Sequence, residues 1–432
     1  MKGRLLFLIF GSLATFSVLF VNLYHLQIKE GGTYRARAES QTRLSGAFDA
    51  QRGTIFLTDK NNTPISAVLN REYSVVFAVP DDIEDVAEAS EQLALLLDLD
   101  TEEVRKKLSK ERDTYELLAT KISDEVIELI REASISGVYI TKEDFRFYPF
   151  GELASHIIGF TAPSSEDTAI RGRYGLEAMY DDFLEGKEST DKDGKVIARD
   201  GMDISLTIDR NIQSMAEEVL AGLIKNFDAS GGTIIVQEPK TGKILALGNQ
   251  PTFDPNAYGK ASLSDFFNPA VQSIYEPGSI FKVVTMSAGI DSGAITPETT
   301  FYDTGSLSLN GYTIRNWDKK AYGTVTMTEV IEHSMNTGAA FAEKKMGHKT
   351  FLKYVEKFGF EAMTEIGLPS ETVGNLDALR GDYREVNYAT AAFGQGVAVT
   401  PIGLINAISA IANDGVLMYP YIDATQIGRA HV

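Results

Sequence analysis

The stretch YEPGSIFKVVT, residues 275 to 285, places a serine and a lysine three positions apart, directly after a Pro-Gly pair. The segment from Ser279 to Met286 is predicted to begin a buried helix, in which side chains three positions apart lie on the same face. A serine hydroxyl is a poor nucleophile until a neighbouring base removes its proton. Ser279 and Lys282 are therefore a candidate nucleophile and base, at the positive end of a helix dipole.

Lysine acts as a base only in its neutral form, so the pKa of Lys282 has to fall from about 10.4 toward the operating pH. Four apolar residues flank it: Ile280, Phe281, Val283 and Val284. They are expected to desolvate the amine, and the helix N-terminus is expected to disfavour its charged form. A backbone N–H of the first turn can stabilise a developing oxyanion. Ser-x-x-Lys also occurs by chance, so an ordinary helix start is the alternative.

A second candidate pair, Ser334 and Asn336, follows in the stretch EHSMNTGAA. The two residues lie at a break between predicted helical runs, so both can face one cleft. Ser334 could relay a proton to a leaving amine, and Asn336 could hold Lys282 and a substrate amide carbonyl. The tripeptide is uninformative alone, but its place downstream of a Ser-x-x-Lys helix supports a shared site.

Several other chemistries are excluded. The sequence has no G-x-S-x-G elbow, no G-x-x-x-x-G-K-[ST] phosphate loop and no histidine followed by glutamate. The absence of cysteine excludes thiolate catalysis, and the net charge of −19 with a pI near 4.8 argues against a nucleic-acid partner. The five histidines are scattered: His25, His156, His333, His348 and His431. His333 adjoins Ser334, but adjacent residues on a helix point apart, so a structural role is expected.

The chain that must position these residues has 432 residues, which is enough for two or three domains. Its composition is that of a globular protein. Near the N-terminus, the stretch LLFLIFGSLATFSVLFV carries no charge and follows a lysine and an arginine. We predict an uncleaved transmembrane anchor over residues 5–26, with residues 1–4 in the cytoplasm and the remaining chain outside. A cleaved signal peptide and a core helix of a soluble protein are the alternatives.

The remaining elements are predicted from local patterns. The stretch QRGTIFLTDKNNTPIS is typical of a hairpin, and residues 71–79 are typical of a further strand. Helices are predicted to begin at Asp100, Ser123 and Asp209, each a favourable N-cap. Residues 232–247 form a second predicted hairpin, with Pro-Lys-Thr-Gly in its turn.

The order Ser-x-x-Lys, then Ser-x-Asn, resembles that of the penicillin-binding serine D,D-transpeptidases, in which a Lys-Thr-Gly motif follows. The stretches FFNPAVQSIYEPGSIFKVVT, RNWDKKAYGTVTMTEVIEHSMNTGAA and AAFGQGVAVTPIGLINAISAIANDG look like their transpeptidase domain. The stretches LQIKEGGTYRARAESQTRL, QRGTIFLTD, RFYPFGELASHIIGF and RYGLEAMYDDFLEGK look like the pedestal of the class B members. EHSMNTGAA is closer to division-type than to elongation-type enzymes.

The resemblance implies an α+β multidomain fold with a single N-terminal transmembrane helix, an elongated pedestal domain and a transpeptidase domain. The pedestal, of the class B dimerisation type, would occupy residues 27–200. The penicillin-binding domain would occupy residues 201–432. It would consist of an antiparallel sheet with helices, as in the serine β-lactamases. A single-pass protein of the bacterial cell membrane is implied, with its N-terminus in the cytoplasm and its catalytic domain outside.

The resemblance also implies a role for each candidate residue. Ser279 would attack the penultimate D-Ala carbonyl of a peptidoglycan stem peptide, with Lys282 as general base. Ser334 and Asn336 would shuttle protons and orient the substrate, and an amine of a neighbouring stem peptide would then take the acyl group to form a crosslink. β-Lactams would acylate Ser279 in the same way. No metal or organic cofactor is implied; a glycosyltransferase and other cell-wall synthesis proteins are the implied partners.

The third motif departs from the family pattern. The triplet Lys240-Thr241-Gly242 precedes Ser279 and falls in a predicted hairpin turn, where ordinary turn chemistry explains it. We therefore expect the third motif and the last strands of the domain beyond residue 432, so that the chain is C-terminally incomplete and has little activity by itself. Two alternatives stay open: a non-catalytic membrane-anchored scaffold of a cell-wall complex, and a β-lactam-sensing or β-lactam-hydrolysing relative.

Overall fold

The computed structural model describes residues 50–424 apart from 112, 114, 165–169, 191–195 and 381–383, together with residues 16, 17, 20 and 24. Contacts divide the chain into two compact units. From residue 50 onward, the described residues of the first unit lie within 50–52, 70–147 and 185–201. Those of the second unit lie within 53–69, 148–184 and 202–424. The domain boundaries given above stay a prediction.

The predicted transmembrane anchor at residues 5–26 lies outside the described residues, except for residues 16, 17, 20 and 24. The predicted cytoplasmic tip, residues 1–4, also lies outside them. In the described part of the chain, no helix has both the length and the hydropathy that crossing a bilayer requires.

The secondary structure alternates short strands with helices. The strands, in chain order, are β1 (Ile55–Thr58), β2 (Pro64–Ala78), β3 (Glu116–Ile122), β4 (Val138–Phe147), β5 (Thr161–Pro163), β6 (Ile170–Gly172), β7 (Lys187–Thr190), β8 (Val196–Arg199), β9 (Ile204–Asp209), β10 (Gly232–Gln237), β11 (Ile244–Gln250), β12 (Thr300–Asp303), β13 (Ser306–Leu309), β14 (Tyr312–Arg315) and β15 (Gly323–Thr326). The α-helices are α1 (Val86–Leu97), α2 (Thr101–Leu108), α3 (Asp124–Ala133), α4 (Ser155–Ile158), α5 (Gly175–Met179), α6 (Asp181–Leu184), α7 (Arg210–Phe227), α8 (Pro269–Gln272), α9 (Lys282–Asp291), α10 (Met327–Glu332), α11 (Asn336–Met346), α12 (His348–Lys357), α13 (Glu385–Ala391) and α14 (Pro401–Ala412). Short 3-10 segments cover Pro80–Asp82, Pro255–Lys260, Leu263–Phe266, Gly278–Phe281 and Asp377–Leu379.

The first unit is built on the second half of β2, which pairs antiparallel with β3 and also pairs with β4. Its helices α1, α2 and α3 begin at Asp85, Asp100 and Ser123, whose side chains accept backbone hydrogen bonds of the first turn. The starts at Asp100 and Ser123 confirm two predictions from the sequence. Buried side chains of the strands and helices form the core, among them Val76, Leu93, Val104, Leu118 and Ile127.

β2 is longer than the sequence predicted. It runs without a break from Pro64 to Ala78, whereas we predicted a hairpin arm followed by a separate strand at residues 71–79. This stretch contains no glycine and its proline is the first residue, so nothing in the backbone interrupts the strand. The predicted hairpin is confirmed, since β1 pairs antiparallel with the start of β2, Ile55 opposite Val68.

In the second unit, β1 also pairs parallel with β9, which ends at Asp209. The Asp209 carboxylate caps α7, as predicted, by accepting hydrogen bonds from the amides of Asn211 and Ile212. β10 and β11 form the predicted antiparallel hairpin, with Gly232 opposite Gln250.

Two hydrophobic clusters of the second unit fix the start of α9. Phe281 and Val284 are fully buried in a cluster with residues of α12, α13 and α14. Met286 belongs to another cluster, which also contains Val330 of α10 and Met335. Because α9 contributes side chains to both clusters, its first turns are held between them.

Candidate active site

Ser279 lies in the 3-10 segment Gly278–Phe281, and α9 begins only at Lys282. The prediction that one buried helix starts at Ser279 is therefore wrong for its first turn, where Ser279 itself is exposed. Gly278 has a φ of +61°, and its amide donates a 3.0 Å hydrogen bond to the carbonyl of Gly394. This tertiary contact lies outside any α-helical pattern and holds the start of the segment.

The Ser279 turn, residues 275–281, is held mainly through main-chain groups. Tyr275 and Val399 exchange two backbone hydrogen bonds, of 3.0 and 2.9 Å. The carboxylate of Glu276 accepts a 2.7 Å hydrogen bond from the amide of Gly396. The chain just before α14 therefore supports the Ser279 turn on both sides of Pro277, at Glu276 and at Gly278.

Gly394 makes the closest of these approaches. A Cβ atom added to it would lie 2.2 Å from the oxygen and 2.6 Å from the nitrogen of Gly278. Its φ of +78° is also in the left-handed region. Glycine is therefore required at residue 394 both by the close contact and by the backbone conformation. The close contact with Gly278 is the one that affects the position of the Ser279 turn.

Lys282 lies at the centre of the candidate site. Its side chain is only 1% exposed. The Nζ atom lies 3.0 Å from Ser279 Oγ, 2.7 Å from the carbonyl oxygen of Ser334 and 3.0 Å from Ser334 Oγ. The structure thus brings together three of the four residues that the sequence singled out.

Burial lowers the pKa of Lys282 to about 8, because desolvation disfavours the ammonium form. Only part of the expected desolvation comes from its neighbours in sequence. Phe281 and Val284 are buried, but Ile280 is 50% exposed and Val283 is 38% exposed. The expectation that all four shield the amine is therefore wrong, since only two of them turn into the core around α9.

The three contacts fit a neutral amine, which has two N–H donors and one lone pair. The carbonyl oxygen of Ser334 can only accept, so it takes one N–H, and the Ser334 hydroxyl can accept the other. The lone pair is then available to the hydroxyl proton of Ser279. This is the geometry that general-base activation of a serine requires.

Ser334 lies in a turn between α10 and α11, as predicted from the break in the helical pattern. We call residues 333–337 the Ser334 turn. Ser334 has a φ of +52°, the left-handed region that few residues other than glycine, asparagine and aspartate adopt. Met335, which follows it, is fully buried and anchors the turn. The backbone there directs both the carbonyl and the hydroxyl of Ser334 to Lys282.

Asn336 does not hold Lys282 as we expected. Its Nδ2 donates a 2.9 Å hydrogen bond to the carbonyl of Arg315, and among the described residues no hydrogen bond joins it to Lys282. The side chain is half-buried at the first residue of α11, from which it reaches β14. Its second N–H and its Oδ1 have no partner in the described part of the chain, so both can serve a substrate.

The triplet Lys240-Thr241-Gly242 occupies the turn between β10 and β11, as predicted. The amides of Thr241 and Gly242 donate to the carbonyl of Glu238, at 3.3 and 2.9 Å. The Thr241 hydroxyl donates to the Glu238 carboxylate, and Gly242 has a φ of +82°. The polar groups of the triplet thus close an ordinary turn.

His333 has the structural role predicted from the sequence, since its ring stacks on Tyr322 with 4.7 Å between the centroids. Sequence reasoning missed two other features, the close approach of Gly394 and a buried polar cluster around Asp303, beside the Ser334 turn. Neither has a local pattern, because each depends on residues distant in the chain. Among the described residues, no group of three or more potential ligand side chains could hold a metal ion.

Two protein families match the chain. The penicillin binding protein transpeptidase domain matches residues 232–428, which include Ser279, Lys282, Ser334 and Asn336. The penicillin-binding protein dimerisation domain matches residues 47–192. The two matches follow one another without overlap.

Curated relatives and a solved structure agree with these matches. Stage V sporulation protein D of Bacillus subtilis is 32% identical over 439 residues, covering 98% of this chain and 66% of that protein. The probable peptidoglycan D,D-transpeptidase PenA of Neisseria gonorrhoeae is 28% identical, covering 96% of this chain and 72% of that protein. The crystal structure of penicillin binding protein 2X from Streptococcus thermophilus superposes with a TM-score of 0.66 at 23% identity, over 89% of this chain and 63% of that one.

The transpeptidase and dimerisation domains, the fold and the relatives together define a class of protein. The chain belongs to the class B penicillin-binding proteins. It spans about two thirds of the length of the Bacillus relative.

Proposed function

We propose that this protein is a peptidoglycan D,D-transpeptidase that works through an acyl-enzyme on Ser279. The observation that carries the proposal is the buried amine of Lys282, 3.0 Å from the hydroxyls of both Ser279 and Ser334. Its pKa, lowered to about 8 by burial, leaves part of the amine neutral near pH 7. A lysine with its ordinary pKa would be almost wholly protonated there.

In the acylation step, the Lys282 amine takes the hydroxyl proton of Ser279 while Ser279 Oγ bonds to the carbonyl carbon of the penultimate D-Ala. The C–N bond to the terminal D-Ala then breaks. The proton passes from Lys282 through the Ser334 hydroxyl to the leaving nitrogen, and D-Ala departs. Asn336 orients the substrate amide with its free N–H and Oδ1.

In the second step, the amine of a neighbouring stem peptide attacks the ester carbonyl on Ser279. The incoming amine gives up a proton along the same path in reverse, and Ser279 recovers it as the ester bond breaks. The product is an amide crosslink between two stem peptides. A β-lactam follows the first step only, because its ring opens onto Ser279 and the leaving nitrogen stays attached to the acyl group.

The relatives that are named peptidoglycan D,D-transpeptidases support this activity. The class B membership supports a pedestal at residues 27–200, a transpeptidase domain at residues 201–432 and a single membrane anchor at residues 5–26. The catalytic domain would then lie outside the bacterial cell membrane. We further propose a division-type enzyme, on the stretch EHSMNTGAA, that works with a glycosyltransferase and other cell-wall proteins.

The test is labelling of the full-length protein with a fluorescent penicillin, followed by mass spectrometry of the labelled peptide. We expect a covalent adduct on Ser279, and none in Ser279→Ala. Ser292→Ala is the matched control, since Ser292 directly follows the last residue of α9 and, in the described part of the chain, its hydroxyl bonds only to the carbonyl of Gly289. It should be labelled like the wild type.

Other outcomes separate the alternatives. A folded wild-type protein that takes no label contradicts the enzymatic proposal and favours a scaffold. Label that appears on Ser279 and is then rapidly lost, with hydrolysed drug accumulating, indicates a β-lactam-hydrolysing enzyme.

A further inference from the structure

A buried carboxylate lies beside the candidate site and is not part of the chemistry above. Asp303, at the end of β12, is 1% exposed. Its Oδ1 accepts hydrogen bonds from the amide of Gly305 (3.0 Å) and the hydroxyl of Thr337 (2.8 Å). Its Oδ2 accepts from the side-chain amide of Asn316 (3.0 Å) and the backbone amide of Tyr322 (3.0 Å). All four donors are uncharged, and they come from four separate places in the chain.

Asn316, which is 2% exposed, extends the cluster. Its Oδ1 lies 3.3 Å from the amide and 3.0 Å from the hydroxyl of Thr337. Its Nδ2 also donates to the carbonyl of Lys320, at 3.1 Å. Asp303 and Asn316 together therefore hold Thr337, in the first turn of α11, through its amide and its hydroxyl.

The three consecutive residues 315–317, which we call the clamp segment, each bind one residue of the Ser334 turn. The Arg315 carbonyl accepts from the side chain of Asn336 at 2.9 Å. Asn316 binds the backbone amide of Thr337 at 3.3 Å, and the indole N–H of Trp317 donates to the carbonyl of His333 at 3.2 Å. Ser334 is thus held from both sides, through the residues before and after it.

We propose that Asp303 is a positioning residue for the candidate active site, because its carboxylate fixes the clamp segment and Thr337 and thereby holds Ser334 against Lys282. The inference rests on the proposed function, since it assigns a purpose to the placement of Ser334. Asp303 does not itself contact the reacting atoms. It acts through Asn316 and Thr337 on the turn whose carbonyl and hydroxyl bind Lys282.

The chemistry of the cluster requires a carboxylate at this place. Four donors converge on two oxygens, and each oxygen of a carboxylate can accept twice. An asparagine would bring an NH₂ group against two of the donors, and a buried group without a partner is destabilising. Asp303→Asn should therefore displace the clamp segment or Thr337 even though it preserves the shape of the side chain.

The first measurement is the rate of acylation of the purified full-length protein by a fluorescent penicillin. Asp303→Asn and Thr337→Val should each react about ten- to a hundredfold more slowly, because displacements on the order of 1 Å have effects of that size on oriented groups. Thr337→Ser keeps the hydroxyl and should react like the wild type. Glu217→Gln is the matched control, a hydrogen-bonded carboxylate on α7 that accepts from Ala154 and Gln213.

The second measurement does not depend on activity. Labelling with 5-fluorotryptophan places a fluorine at Trp317, in the clamp segment itself, and its resonance is identified by its absence from the spectrum of Trp317→Phe. In Asp303→Asn and Thr337→Val this resonance should shift or split under conditions in which both proteins are folded. In Thr337→Ser and Glu217→Gln it should stay at the wild-type position.

The outcomes distinguish the inference from the proposed function. A wild-type protein that is not acylated contradicts the proposed function, and the fluorine resonance still tests the cluster. Wild-type acylation rates in both Asp303→Asn and Thr337→Val, or an unchanged resonance in both, would overturn the inference. Equal losses in Thr337→Val and Thr337→Ser would overturn it as well, because the hydroxyl would then not matter. Should Asp303→Asn fail to fold, the two Thr337 variants decide the question.

Discussion

The Ser279 turn and the Ser334 turn meet at Lys282, but they are held in place by different means. The Ser279 turn depends mainly on main-chain hydrogen bonds to residues 394–399, with one further bond to the Glu276 carboxylate, and on a contact that only a glycine allows. The Ser334 turn depends on buried polar side chains, foremost Asp303 and Asn316. One turn is therefore sensitive to added volume and the other to a change of hydrogen-bonding groups at constant volume.

This difference matters for how the site can fail. A main-chain support survives most side-chain substitutions, because every residue carries the carbonyl acceptor and every residue except proline carries the N–H donor. A side-chain support fails when a single atom changes from acceptor to donor. The comparison yields three predictions. The first concerns Lys282, where the two turns meet, the second concerns the Ser279 turn alone, and the third concerns the protonation state of the Lys282 amine.

The largest expected effect comes from removing the residue that joins the two turns. Lys282→Met keeps an unbranched apolar side chain without the terminal amine, so the base is lost and acylation by penicillin should slow about a thousandfold. Lys240→Met, in the β10–β11 turn, is the matched control and should react like the wild type. Acylation rates from fluorescent labelling measure both. A comparable loss in Lys240→Met would contradict our placement of the Lys-Thr-Gly triplet outside the site.

The next effect isolates the glycine contact of the Ser279 turn. Gly394→Ala should slow acylation about a hundredfold, since its Cβ would push the Gly278 oxygen, 2.2 Å away, and shift the serine. Gly415→Ala is matched in backbone strain, with a φ of +84°, but among the described residues its Cβ would meet no atom within 4 Å. It should lose stability with little loss of rate. Rates, together with melting temperatures, separate the two effects; equal rates in the two variants would rule out the close contact as the cause.

The smallest effect is the dependence of wild-type acylation on pH. Because the base is the neutral form of Lys282, with a pKa of about 8, the rate should fall about tenfold per pH unit below 8 and level off above it. Stability should change in the same sense. The pKa of Lys282 is lower in the folded protein than its unfolded value near 10.5, so the unfolded chain binds the proton more tightly. The free energy of unfolding therefore decreases as the pH falls from about 10.5 to about 8. Lys282→Met should lack this change in stability, and an acylation rate that is flat below pH 8 would exclude Lys282 as the base.

Features set by neighbours in sequence could be predicted without a structure. The caps at Asp100, Ser123 and Asp209, the two hairpins and the break before Asn336 all follow from patterns a few residues long. The contact between Ser279 and Lys282 was predicted for the same reason, since helical winding alone brings residues three apart together.

Features set by distant residues could not be predicted. Gly394 contacts Gly278 across more than a hundred residues. In the Asp303 cluster, a carboxylate of β12 accepts from donors in the loops before and after β13–β14 and in α11. The sequence predicted that four flanking apolar residues bury Lys282, but Ile280 and Val283 are exposed, so the flanking residues account for only part of its burial. Asn336 was assigned to Lys282 and instead binds Arg315, since a side chain at a helix start can reach in several directions.

The left-handed backbone of Ser334 limits which substitutions this position can accept. Threonine carries the same hydroxyl, but its branched Cβ makes a φ of +52° unfavourable. Glycine, asparagine and aspartate tolerate that backbone and carry no aliphatic hydroxyl. If the proposed proton path needs an alcohol beside the lysine, serine is therefore the one residue that supplies it on this backbone.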